Sequence, residues 1–279
     1  MINRLHFFQA GSCTAQEWLG IRGGQIKKKI FPAVVTAMEH PAFGVVLFDT
    51  GYSPRIHDAT RSFPERLYPL LTPFEIPVLE TAVEQLKKLG IDQSDVRFVI
   101  CSHFHPDHIG GAADFKRAQY ICSRQGYQSL CNRSRWENFR AGCLSGLLPG
   151  DFAQRTVVLE TGQFSQQALS WSDFHTGHDL LGDGSLILVE LPGHAVGQLG
   201  AVIRGVSGSD YLLASDACWL RRSYQRNAPP PKLVTNLLFD DAKRYLHTLR
   251  RIHDFSQRYP AVQIVPGHCA ETLAILNAK

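Results

Sequence analysis

Apolar residues in this chain gather in short runs closed by Gly, Pro or Asp, the pattern of buried strands, with one stretch of helical spacing ahead of the densest polar cluster. Arg4 to Phe8, Ala33 to Met38 and Gly44 to Phe48 read as strands, and the last ends in Asp49-Thr50-Gly51. Between the first two, Trp18 to Gly24 reads as an exposed turn. From Ile76 to Leu89 the apolar positions Ile76, Leu79, Val83, Leu86 and Leu89 recur at three- and four-residue intervals and Gly90 follows, which predicts an amphipathic helix. Val96 to Ile100 is a strand that runs straight into a polar loop, and Tyr120 to Ser123 is a short strand. Gln125 to Leu148 is a polar, arginine-bearing helical insert with Trp136 and Phe139. Three further strands, Ser185 to Leu191, Tyr211 to Ala214 and Val262 to Val265, fill the second half. A helix with Phe239, Ala242, Tyr245, Leu246, Leu249, Ile252 and Phe255 as its buried stripe precedes the last of them.

Composition narrows the class. A chain of 279 residues with 44% hydrophobic and 19% charged residues fits a soluble globular enzyme, read as one domain over 1–279 with the insert near 125–148. A net charge of +4 lacks the dense basic face of a nucleic-acid binder. Seven cysteines without a CxxC pair argue against a disulfide framework and for a reducing compartment. The first residues carry no long apolar stretch of a signal peptide, and no run reaches membrane-spanning length, so the expectation is a cytoplasmic protein.

The chemistry lies at the strand exits. His103, His105, Asp107 and His108 fall within six positions directly after the Val96 to Ile100 run. His103 and His105, two apart in extended chain, share a face, and Pro106 bends the chain so that Asp107 and His108 turn toward a neighbouring point. Imidazole and carboxylate together are the donors transition metals accept. Three later strands end in Pro192-Gly193-His194, Ser215-Asp216 and Pro266-Gly267-His268, so four strands deliver metal-competent side chains at their carboxyl ends. Asp49 either supports a metal-ligating histidine or closes an Asx turn. His6, His40, His57, His247 and His253 have no supporting pattern.

His103-x-His105-x-Asp107-His108 followed by His194, Asp216 and His268 resembles the ligand set of the metallo-β-lactamase superfamily. The resemblance implies an α+β fold, a four-layer αββα sandwich with the site along the common edge of its sheets. It implies that His103, His105 and His194 hold one ion, that Asp107, His108 and His268 hold a second, and that Asp216 bridges them. Two divalent transition-metal ions follow as cofactors, zinc first, with iron, manganese or cobalt also suited to these donors. Asp216 sets the chain apart from classical β-lactamases, and the short tail after His268 sets it apart from glyoxalase II-like thioesterases. The loop from Gly177 to Ser185 is similar to the N-acyl-homoserine lactonase group, a quorum-quenching group of lactonases.

That resemblance implies a hydrolase that opens a lactone or related ester by attack of a hydroxide shared between the ions, with Asp107 passing the proton to the leaving group. The partner is a small molecule with an ester, lactone or thioester carbonyl; neither nucleic acid nor membrane is expected. A thioesterase, a phosphodiesterase and a low-turnover binding protein are the alternatives. Trp219 stands where that group carries a tyrosine three residues after the bridging aspartate. Trp219, His178 and Phe104 are the candidate substrate contacts, with Trp18, Trp136 and Phe139 as further pocket wall.

Overall fold

Runs such as Gly44–Phe48 and Leu186–Glu190 offer no polar face, so they are stable only where both sides are covered. The computed structural model, which describes residues 1–165, 174 and 176–278, covers them in two stacked sheets. In chain order the strands are β1 (Arg4–Gln16), β2 (Lys28–His40), β3 (Gly44–Phe48), β4 (Phe74–Glu75), β5 (Val96–Ile100), β6 (Gln119–Ser123) and β7 (Thr156–Leu159). They form one sheet in the order β4-β1-β2-β3-β5-β6-β7. β8 (His178–Asp179), β9 (Leu186–Glu190), β10 (Leu199–Val206), β11 (Ser209–Ser215) and β12 (Gln263–Pro266) form the other, in the order β12-β11-β10-β9-β8.

Alternate residues of each strand serve different apolar layers, which fixes the stacking. Val46, Phe48 and Ile100 cluster with Leu186, Leu188 and Val265 between the sheets. Their neighbours Val45, Leu47 and Val99 cluster with Leu86 of the helix Ala82–Lys88. On the far side, Ile187 and Val189 pack with Tyr245, Leu249, Ile252 and Phe255 of the helix Ala242–Arg258. The result is the metallo-β-lactamase fold, with helices outside two mixed sheets.

Strand direction then concentrates the chemistry. β3, β5, β6 and β7 are parallel, as are β11 and β12, while β9 reaches β11 through two antiparallel pairings and so runs the same way as β11. The exits of the two sheets are tied together: Leu199 N donates to Ser102 O at 2.9 Å, Ser215 Oγ to Ser102 Oγ at 2.9 Å, and Val34 N to Gly267 O at 3.2 Å.

Several expected elements change in extent. β1 and β2 run to 13 residues each, because their outer halves pair with each other beyond the main apolar layers, where Phe31 packs in a small cluster with Ile21 and Leu220. The helix expected over Ile76 to Leu89 is confined to Ala82–Lys88. Pro77 holds the preceding residue extended, and the Thr81 hydroxyl accepts from Glu84 N to start the helix there. Leu79 and Leu89 are accordingly exposed, at 61% and 43%. Leu246 is also exposed, one position off the stripe of Tyr245, Leu249 and Ile252. Trp18 lies on a four-residue helix, Glu17–Gly20, that leads into the turn. The insert is helical over Arg124–Asn132 and Arg135–Arg140, with a further single turn at Ser145–Leu147.

Candidate metal centre

β5 ends at Ile100, and the chain bends at Ser102 and His103 before His105; Pro106 then opens a four-residue helix whose first turn carries Asp107 and His108. The tight helix swings the second pair away from the first. Side-chain donor atoms of His103, His105, His194 and Asp216 lie within 4.8 Å of one another, and so do those of Asp107, His108 and His268. Asp216 reaches both sets. Its carboxylate stands 3.3 Å from His194 Nε2, 3.3 Å from His108 Nε2 and 3.1 Å from His268 Nε2. His268 Nε2 is 3.4 Å from Asp107 Oδ2, and His194 Nε2 is 3.0 Å from His105 Nδ1. Donors about 2.0–2.1 Å from a shared tetrahedral ion sit about 3.3 Å apart, so these spacings suit a cation between the groups.

The outer nitrogens are held. His108 Nδ1–H donates to Asp49 Oδ2 at 2.7 Å, His268 Nδ1–H to the Pro32 carbonyl at 2.9 Å, and His105 Nε2–H to the Ala141 carbonyl at 3.0 Å. His103 Nδ1 is 3.1 Å from Ser102 Oγ, which itself donates to Asp49 Oδ2 at 2.8 Å. These contacts aim Nδ1 of His105 and Nε2 of His103, His108 and His268 inward. Inside, His103 Nε2, His108 Nε2 and Asp216 Oδ1 are buried and make no hydrogen bond, a costly arrangement in a protein interior unless a cation completes it. The donor set therefore fits bound metal.

Charge supports the same conclusion. Burial pushes His103 and His194 well below the ordinary imidazole range, leaving the neutral form that ligates metal. Burial opposes ionisation of Asp216, but His268, His108 and His194 outweigh it and hold the carboxyl well below its usual range. His108 and His268 are raised despite burial, His108 chiefly by Asp49 and His268 chiefly by Asp216. Without a cation, the acids are thus balanced by imidazolium; a bound ion takes over that role.

Glycine is required in both Pro-Gly-His exits, for different reasons. Gly193 has φ +128°, and a Cβ there would meet Tyr245 N at 2.1 Å. A Cβ on Gly267 would meet Asp216 Oδ1 at 2.3 Å. Gly267→Ala is expected to displace that carboxylate and weaken metal binding at least about tenfold while far-ultraviolet circular dichroism stays unchanged; chelator competition measures the affinity. Asp49, whose φ is +62°, is likewise placed by its strand exit to orient His108 and Ser102. Asp49→Ala is expected to lower metal affinity about 10- to 100-fold by the same competition, with the ligands themselves intact.

The remaining candidates divide. Trp219 lies beside the centre, its ring 5.9 Å from that of His194 and 6.0 Å from that of His268. Its indole N–H donates to Asp216 Oδ2 at 2.9 Å, so that donor is engaged with the carboxylate. Phe104 lines a cavity of about 250 Å³ that opens beside His105 and His194. His178 is not brought to the centre: it sits on edge strand β8, with Nδ1 3.3 Å from Gln163 O and its ring against Phe164. Trp136 is half-exposed and stacks on Phe63, away from the cavity lining.

The insert supplies what the sequence reading missed. Ala141, just past the Arg135–Arg140 helix, holds His105 through its carbonyl, a contact that leaves no trace in residue identity. Arg133 and Arg140 enter the cavity wall from the same insert, opposite Leu238 and Phe239.

A helix-sheet-sheet-helix sandwich whose strand exits converge two His/Asp sets on one edge is the build of a metal-binding protein of the αββα class. The chain belongs to the metallo-beta-lactamase superfamily, whose profile matches residues 34–268. The Azorhizobium caulinodans protein named N-acyl homoserine lactonase AttM is 29% identical over 193 residues, which are 68% of this chain and 64% of that protein, just under two thirds of its length. N-acyl homoserine lactonase AiiB of Agrobacterium fabrum is 24% identical over 240 residues, 83% of this chain and 77% of that one. Among solved structures, an N-acyl homoserine lactone hydrolase with N-hexanoyl-L-homoserine bound at its catalytic metal centre superposes with a TM-score of 0.72 at 19% identity. That match covers 99% of this chain and 96% of the other. Among the described residues no helix is long and apolar enough to cross a membrane.

Proposed function

We propose that this protein is a metal-dependent hydrolase that opens a lactone or related ester, holding two divalent ions, zinc first among them. His103, His105 and His194 would hold one, Asp107, His108 and His268 the other, and Asp216 would contact both. The observation that carries this is the set of buried, inward-facing donor atoms without hydrogen bonds at the junction of the two groups. Such an ion pair supplies Lewis acidity toward a carbonyl oxygen and activation of water.

The residues then divide the work. Asp107 keeps 13% of its side chain exposed, against 2–3% for His108 and Asp216, so its carboxylate faces an incoming substrate. It takes a proton from the attacking water at the oxygen not engaged with an ion and returns it to the leaving oxygen. Asp49, Ser102, Pro32 and Ala141 keep the imidazoles aimed, so the reaction pays no reorganisation of the site. Trp219 orients Asp216. It is not the substrate donor that a tyrosine there would be. The lactonase names of the relatives favour a lactone over a thioester or phosphodiester. A panel of all three offered to metal-replete protein tests this; lactone opening at the highest kcat/KM is expected, and binding without conversion would support the low-turnover alternative.

A further inference from the structure

Resting on the hydrolase reading, we infer that the cavity beside His105 and His194 selects a substrate whose cavity-filling substituent ends in a carboxylate, which Arg133 and Arg140 receive. Both residues line this cavity, one from the position that closes the Arg124–Asn132 helix and one from the end of the Arg135–Arg140 helix. Other arginines of the insert are paired: Arg124 with Glu160, and Arg135 with Glu65. Among the described residues, Arg133 and Arg140 make neither a hydrogen bond nor an ion pair through their side chains. Arg133 is moreover half-buried, so part of its hydration is already lost.

The acids in the same cavity form no ion pair with them, although Glu137 lies in the field of both arginines. Glu137 spends Oε2 on its own helix start, accepting from Ser134 N at 2.8 Å and Ser134 Oγ at 2.7 Å. Asp240 lies within the field of Arg133 but forms no ion pair with it, and burial pushes its carboxyl toward the neutral form. Phe104, Leu130, Val196, Leu238 and Phe239 line the same cavity and give it an apolar stretch. A chain that reaches from a reacting carbonyl across that stretch would end at a planar, five-donor fork, the geometry that takes a carboxylate by two parallel hydrogen bonds.

N-hexanoyl- and N-adipoyl-homoserine lactone have equal chain lengths and differ in the terminal carboxylate, so they isolate this contact. For metal-replete protein, kcat/KM is expected to favour the adipoyl compound at least about tenfold, through KM, and the preference should shrink as ionic strength rises. In the Arg133→Met/Arg140→Met protein the ratio should fall to about one, and Arg133→Lys/Arg140→Lys should restore part of it. A ratio at or below one in the unaltered protein, or one that the double methionine variant leaves intact, overturns the inference. Should no lactone be opened, the hydrolase reading fails separately, and calorimetric titration with the two ring-opened acids decides: tighter binding of N-adipoyl-homoserine that depends on the two arginines supports the site, and equal Kd values overturn it.

Discussion

Asp216→Ala is expected to strip the centre of metal and lower turnover by about 10³-fold or more, since a directly placed ligand should cost more than the 10- to 100-fold typical of the residues behind it. Its carboxylate is within 3.3 Å of donor nitrogens from both groups. Removing it leaves His268 without the anion that chiefly balances it. In the proposed two-ion centre, Asp216 would be the carboxylate shared by both groups, so binding of a second ion would suffer most. Metal analysis of purified protein should fall from two ions per chain to one or fewer. Undiminished metal and turnover would show that Asp216 does not join the groups.

Asp107→Asn separates holding metal from moving a proton. Asparagine keeps an oxygen for ligation but offers no carboxylate to accept a proton, so kcat should drop about 10²- to 10⁴-fold while metal content stays near that of the parent. KM should change little, because the apolar cavity residues are untouched. Asp107→Ala, by contrast, should lose metal as well. Equal kcat in the asparagine variant would assign the proton transfer to another group.

The sequence carried the site better than the outline of the elements. Residues 186–189 are buried on both faces and Val96–Ile100 is apolar apart from exposed Arg97, so apolar strings mark them, and the ligands follow their ends, where residue type is diagnostic. The outer extensions of β1 and β2 were invisible, because pairing of Gln16 with Lys28 or Thr14 with Ile30 needs no apolar core. The helical spacing from Ile76 was misleading: Pro77 and the Thr81 cap break it, and periodicity cannot register where a chain must first be extended. His178 shows the same limit from another side, since a loop pattern similar to that of the lactonase group lies on an edge strand away from the ligands. The carbonyls of Pro32 and Ala141 orient two histidines without any side-chain signature at all.

Anomalous diffraction at the zinc edge from crystals of zinc-loaded protein tests the central claim most directly. Two peaks are expected, one about 2.0–2.2 Å from donor atoms of His103, His105 and His194, the other from those of Asp107, His108 and His268, with Asp216 touching both. A lone peak, or density away from these seven side chains, would contradict a paired-cation centre.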